Sequence, residues 1–155
     1  MEFHELMDSF AQSATINKFE PNDENVYHCE IDGMVVEFSE FDDDRMLLSS
    51  TVCKLPEIGS ASFYEVMMDA MFMGQATAGA FFAINPSGEI VIQSIVSSFS
   101  IDLDEFKKIL EDYVNILETW RGIANELMSM TEEALKAKVQ ENDQFNLGVG
   151  DFMRV

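Results

Sequence analysis

The stretch from residue 62 to 73, Ser-Phe-Tyr-Glu-Val-Met-Met-Asp-Ala-Met-Phe-Met, is apolar nearly all the way round when wound into a helix. Phe63, Val66, Met67, Ala70 and Met71 fall on one face, Tyr64, Met68 and Phe72 on a second, and only Glu65 and Asp69 are charged. A helix on the surface of a small domain carries one apolar stripe and one wet face. Two apolar faces require two partners. The first is the helix's own domain; the second is expected to be another protein chain, which points to a dimer or a binding module.

The rest of the composition narrows the partners. The chain has 155 residues, enough for one domain that buries roughly 70% of its unfolded surface. Its 29 acidic and 9 basic residues give 9 − 29 = −20. Nucleic acid is thereby disfavoured as a partner, because phosphate binding needs clustered Lys and Arg to release counterions. An anionic membrane surface is disfavoured for the same reason, and no apolar run is long enough for membrane insertion. Such a charge suits a protein that stays soluble while displaying apolar patches. The first fourteen residues are amphipathic and acidic, unlike a signal peptide. The cysteines, Cys29 and Cys53, lie in predicted strands without metal-ligand spacing and read as reduced thiols. A cytoplasmic protein is expected.

Hydrophobic periodicity lays out the elements. Phe3, Leu6, Met7, Phe10, Ala11 and Ala14 predict a first helix. Val26–Ile31 and Met34–Phe38 predict a hairpin across Asp32-Gly33, the dipeptide that a type I′ turn favours. An acidic loop, Glu40–Asp44, precedes a third strand, Met46–Leu55. Ser62 and Glu65 form a capping-box pattern for the doubly apolar helix. Ala80–Asn85 and Glu89–Ser97 follow as strands around the turn Asn85-Pro86-Ser87-Gly88. Asp102 and Glu105 cap the longest helix, whose stripe is Leu103, Phe106, Leu110, Tyr113, Val114, Leu117, Trp120, Ala124 and Leu127. A shorter helix from Glu132 to Gln140 is led by Ser129 and Glu132, and Asn142–Val155 forms a tail. The order α-β-β-β-α-β-β-α plus a C-terminal extension implies an α+β fold with an antiparallel sheet. The expected division is a domain over 1–130 and a C-terminal helix and tail over 131–155.

Catalytic chemistry leaves no pattern. His28 and Cys29 are adjacent in a strand, so their side chains leave on opposite faces and cannot form a nucleophile pair. Asp42-Asp43-Asp44 lacks the spacing of a calcium loop. No phosphate-cradling loop and no Gly-x-Ser-x-Gly elbow occurs. The expectation is a non-enzymatic protein without metal or cofactor. The eleven methionines say more, since Met67, Met68, Met71 and Met73 put flexible thioethers on one helix, suited to packing or to an adaptable interface.

The chain resembles the class I secretion chaperones of the bacterial type III system, the Tir chaperone (CesT-like) family. The resemblance rests on Leu6–Ala11, on Cys29-Glu30-Ile31-Asp32-Gly33, on Leu47-Leu48 and Leu55-Pro56, on the apolar second helix and on Tyr113-Val114 through Glu118-x-Trp120. It spans roughly residues 3 to 127. Met73-Gly74-Gln75 stands where the family often has an Ala-Asn pair. The resemblance implies a homodimer that binds the N-terminal segment of a secreted effector in extended form, keeping it soluble and export-competent. Phe63, Val66, Met67, Ala70 and Met71, with Phe81 and Ala83, are the expected two-fold interface. Phe3, Leu6, Met7 and Phe10, with Met34, Val36 and Phe38, are the expected effector-binding groove. The alternative is a YbjN-like or regulatory adaptor domain that sequesters a folded protein.

Overall fold

A computed structural model describes residues 1–56 and 61–145, with side chains as far as residue 140. Along the chain run α1 (Phe3–Ser13), β1 (Tyr27–Ile31), β2 (Met34–Asp42), β3 (Arg45–Lys54), α2 (Ala61–Ala70), β4 (Phe81–Ile84), β5 (Glu89–Ser97), α3 (Leu103–Ser129) and α4 (Glu132–Phe145). The strands form a five-stranded antiparallel sheet in the order β1-β2-β3-β5-β4, so β1 and β4 are its two edges. The α+β class and the element order agree with the sequence.

Two compact units divide the chain: Met1–Ser50 with Gln93–Asn115, and Thr51–Ile92 with the chain from Ile116 onward. The first unit begins with the hairpin. Asp32 and Gly33 both take positive φ, 51° and 76°, which is what a two-residue type I′ turn needs. That turn sets the register Ile31↔Met34, Cys29↔Val36, Tyr27↔Phe38. Alternation then sends Tyr27, Cys29, Met34, Val36 and Phe38 inward and His28, Glu30, Val35 and Glu37 to solvent. The inward face meets α1 and the start of α3 in an aromatic cluster: Phe10 lies 5.3 Å from Phe106 and 6.3 Å from Phe38, and Phe38 lies 5.9 Å from Phe106. The capping box that opens α3 is complete. Asp102 Oδ1 accepts the Glu105 N–H (2.9 Å) and Glu105 Oε2 accepts the Asp102 N–H (3.1 Å).

In the second unit, Trp120 of α3 is fully buried, its Nε1–H donates to the Ala76 carbonyl (3.1 Å), and its ring meets the edge of Phe82 at 5.0 Å. Helix α4 packs against α2. Leu135 is buried, and Ser62 Oγ donates to Glu132 Oε1 at 3.2 Å.

Several boundaries differ from the sequence reading. Strand β2 continues through the predicted acidic loop to Asp42, because Asp42 pairs with Arg45 and closes a tight hairpin. The Asp42 carboxylate binds the Arg45 guanidinium and accepts the Asp44 N–H (3.2 Å). Helix α2 ends at Ala70, where a single 3-10 turn, Phe72–Gly74, carries Met73 at φ 55°. Ser62 lies inside α2, not at its cap, and bonds Glu132 instead of closing a box with Glu65. At α4 the cap is Thr131, whose Oγ1 accepts the Ala134 N–H (3.2 Å), while Ser129 donates back to the Glu126 carbonyl (2.7 Å). Residues 142–145 of the predicted tail complete α4, and residues 146–155 lie outside the described residues.

Candidate functional site

The first surface to consider is built by the doubly apolar helix. Its first stripe turns into its own unit: Phe63, Val66, Met67 and Ala70 are all buried. The second stripe stays open. Met68 is 67% exposed and Phe72 71%, and Met73 just beyond is 78% exposed. Between this helix and the sheet edge lies an apolar groove of about 430 Å³. Tyr64 and Met68 of α2, with Met71 just past its end, form one wall, and Phe82, Ala83 and Ile84 of β4 form the other, with Met67 and Ile90 completing the lining. The wall is tied together where the Phe82 N–H donates to Met71 Sδ (3.1 Å).

Of the residues expected at a two-fold interface, then, Met71, Phe81 and Ala83 are half-buried and reachable, whereas Phe63, Val66, Met67 and Ala70 support α2 from beneath. Tyr64, Met68 and Phe72 form the stripe that reaches solvent. Their i, i+4, i+8 spacing was visible in the sequence; Ile84 and Ile90 carried no comparable signal.

The residues expected to line a peptide groove do come together, but as an interior. Phe3, Leu6, Met7 and Phe10 of α1 and Met34, Val36 and Phe38 of β2 are all buried in the first unit. Exposed side chains of α1 and β1, His4 and His28 among them, form the rim over this core. His4 Nδ1 lies 3.0 Å from the Tyr27 hydroxyl, at the start of β1. Burial, together with the nearby Asp8 and Glu40 carboxylates, pushes the Tyr27 phenol up. On the outer face, His28 Nε2 lies 3.3 Å from Glu37 Oε1.

A family model describing the Tir chaperone protein (CesT) family matches residues 5–121. The chain belongs to the CesT family. No curated protein matches the sequence. Among solved structures, the chain is similar to the Yersinia pestis type III secretion chaperone SycH in complex with a stable fragment of YscM2 (14% identity, 75% of this chain and 97% of that one, TM-score 0.56). It is also similar to a chain of the heterodimeric ExoU–SpcU complex from the type III secretion system of Pseudomonas aeruginosa (12% identity, 81% and 98%, TM-score 0.60). An uncharacterized protein from Methanothermobacter thermautotrophicus has the fold too (13% identity, 81% and 99%, TM-score 0.59).

The CesT match ends inside α3, so α4 and its contact with α2 lie beyond the matched region. Within the CesT fold, neither cysteine is poised for nucleophilic chemistry. Burial pushes both the Cys29 and Cys53 thiols up, which holds them protonated near neutrality. Among the described residues, no three His, Cys, Asp or Glu side chains gather as a metal site, and no helix is long and apolar enough to cross a membrane.

Proposed function

We propose that this CesT-family protein is a type III secretion chaperone of the bacterial cytoplasm that binds the N-terminal segment of a secreted effector in extended form and acts without catalysing a reaction. The observation that carries this reading is the family match over 5–121, which spans both compact units. Its physical basis is peptide recognition by main-chain pairing at a sheet edge combined with apolar contacts, which needs no nucleotide or metal. A segment held this way remains unfolded and suited to a narrow secretion channel.

The working form is a homodimer joined through the α2–β4 groove. A two-fold contact uses the same patch twice. Here one copy's Met68 and Phe72 enter the other's groove against Met71 and Ala83, with Phe81 beside it at the start of β4, while Phe63, Val66, Met67 and Ala70 hold the helix in place. Thioethers adapt to an irregular apolar wall at little cost, which suits them to such a joint. On the other unit, Phe3, Leu6, Met7, Phe10, Met34, Val36 and Phe38 form the floor beneath the effector-binding rim.

The test is co-purification of the tagged chain from its own bacterium, with limited proteolysis and mass spectrometry of what is retained. One dominant secreted protein, protected over a stretch near its N-terminus, is the expected result. A retained folded regulator, without a protected extended segment, would replace the chaperone reading with an adaptor.

A further inference from the structure

The apolar groove beside β4 carries its own oxidisable groups. Met67, Met68 and Met71 are among the residues that line it, and the structure grades them by access. Met67 is buried. Met71 is half-buried, and its sulfur already accepts the Phe82 N–H. Met68 is exposed, on the open stripe of α2. Met73, just past the helix, is exposed too, but it is not among the described lining residues.

A thioether takes one oxygen atom from a hydroperoxide. With hydrogen peroxide, the sulfur lone pair attacks one oxygen, and the O–O bond breaks as the S–O bond forms. The departing hydroxide takes the proton of the transferred oxygen and leaves as water. The sulfur is oxidised by two electrons to a sulfoxide, and the peroxide is reduced by two. The product is polar, and its oxygen accepts hydrogen bonds. Apart from the Tyr64 hydroxyl, the described side chains lining the groove hold no donor, and the Phe82 N–H is engaged by Met71. Burying an acceptor without a donor is unfavourable. A two-fold joint meets that penalty twice, because each copy brings its own Met68.

We propose that Met68 is an oxidation site that controls the α2–β4 joint: its sulfoxide holds two copies apart, and reduction to the thioether lets them join. This rests on the reading of the groove as a homodimer joint and adds the chemistry that opens it. Access gives the switch a direction. Met68 is open to solvent in a single copy and covered once two copies meet, so the joint protects it and oxidation proceeds from the free chain. Leucine at this position supplies a similar apolar volume with no sulfur to oxidise.

The test exposes the full chain to graded hydrogen peroxide at concentrations below and above the dissociation constant of its dimer. Peptide mass spectrometry follows each methionine, and analytical ultracentrifugation follows assembly. Met68 sulfoxide is expected to form several-fold faster in dilute protein than in concentrated protein. Met128, exposed on α3 and not among the described lining residues, is expected to oxidise at one rate throughout. Oxidation of Met68 is expected to raise the dissociation constant about 10- to 100-fold. Methionine sulfoxide reductases for both epimers are expected to restore it. In Met68→Leu the dissociation constant, whatever its own value, is expected to be insensitive to peroxide, while Met73→Leu keeps the parent's response. Oxidised Met68 with an unchanged dissociation constant would overturn the proposal, as would a Met68→Leu dimer that still separates in peroxide. The reading of the groove fails separately: a dimer that survives Met68→Glu with Phe72→Ser refutes that reading, whereas one broken by these substitutions but not by the sulfoxide refutes the oxidation switch alone.

Discussion

The two sheet edges of this protein are made of different chemistry. At β4 the edge is Phe81, Phe82, Ala83 and Ile84, one of its N–H groups is taken by Met71, and an apolar groove runs beside it. At β1 the side chains turned to solvent are His28 and Glu30, set beside Glu37. An apolar edge offers non-directional affinity in proportion to the area removed from water. A charged edge offers register and selectivity, with less energy per contact. The first suits a permanent joint with an identical copy; the second suits a client that must bind and later leave.

The hardest way to break this contrast is through the side chain that supports Phe82, one wall of the groove, from behind. Trp120 is fully buried and its indole N–H donates to the Ala76 carbonyl, so Trp120→Ala removes both the packing against Phe82 and the donor to a buried carbonyl. A loss of about 3–5 kcal/mol is expected in urea denaturation. A loss under about 1 kcal/mol would mean that the groove is not built on this side chain. Next in size is the double variant Met68→Glu with Phe72→Ser, which changes two exposed side chains and leaves the buried stripe alone. Light scattering should show the dimer giving way to monomer, with the dissociation constant raised about 100-fold, or roughly 2.7 kcal/mol. A folded dimer of unchanged affinity would remove the groove from the interface. By contrast Met67→Glu places a charge in the core and is expected to unfold the chain outright.

These variants also mark what the sequence could and could not say. The two stripes of α2 were legible because helical spacing sorts side chains by face. Which stripe stays open was not, since that depends on what other elements cover. The same limit applies to Phe3, Leu6, Met7 and Phe10: periodicity marks them as apolar, while Phe106, far along the chain, is what closes over Phe10. Strand β5 and the capping box of α3 matched residue for residue, because both are written in local chemistry. The extension of β2 to Asp42 was hidden by three consecutive aspartates, which read as a loop until Arg45 is seen to neutralise one of them.

A smaller effect probes the charged edge alone. Gly33 sits at φ 76° with open space where a Cβ would stand, so Gly33→Ala meets no clash and pays only for the left-handed backbone. The cost should be about 1 kcal/mol in denaturation, and the dimer should be untouched. If dimerisation weakens along with stability, the two edges are not independent.

The smallest effect lies at the far end of β2. The Arg45 guanidinium holds the Asp42 carboxyl below its usual range, with help from the Asp44 N–H. A carboxyl whose folded pKa is depressed stabilises the fold fully above its unfolded value, near 4, and loses that contribution as pH falls through the folded pKa. Asp42→Asn keeps the side chain's shape and its ability to accept from Asp44 but discards the charge. Its melting temperature is expected to sit slightly below that of the parent at pH 6 to 7 and to converge with it as the pH falls through the depressed pKa of the parent's carboxyl, below which that group is neutral too. Because the pair is exposed, added salt should shrink the gap at neutral pH. A gap that persists unchanged into acid would mean that the amide disturbs the turn sterically, and that the hairpin owes its length to shape and not to the ion pair.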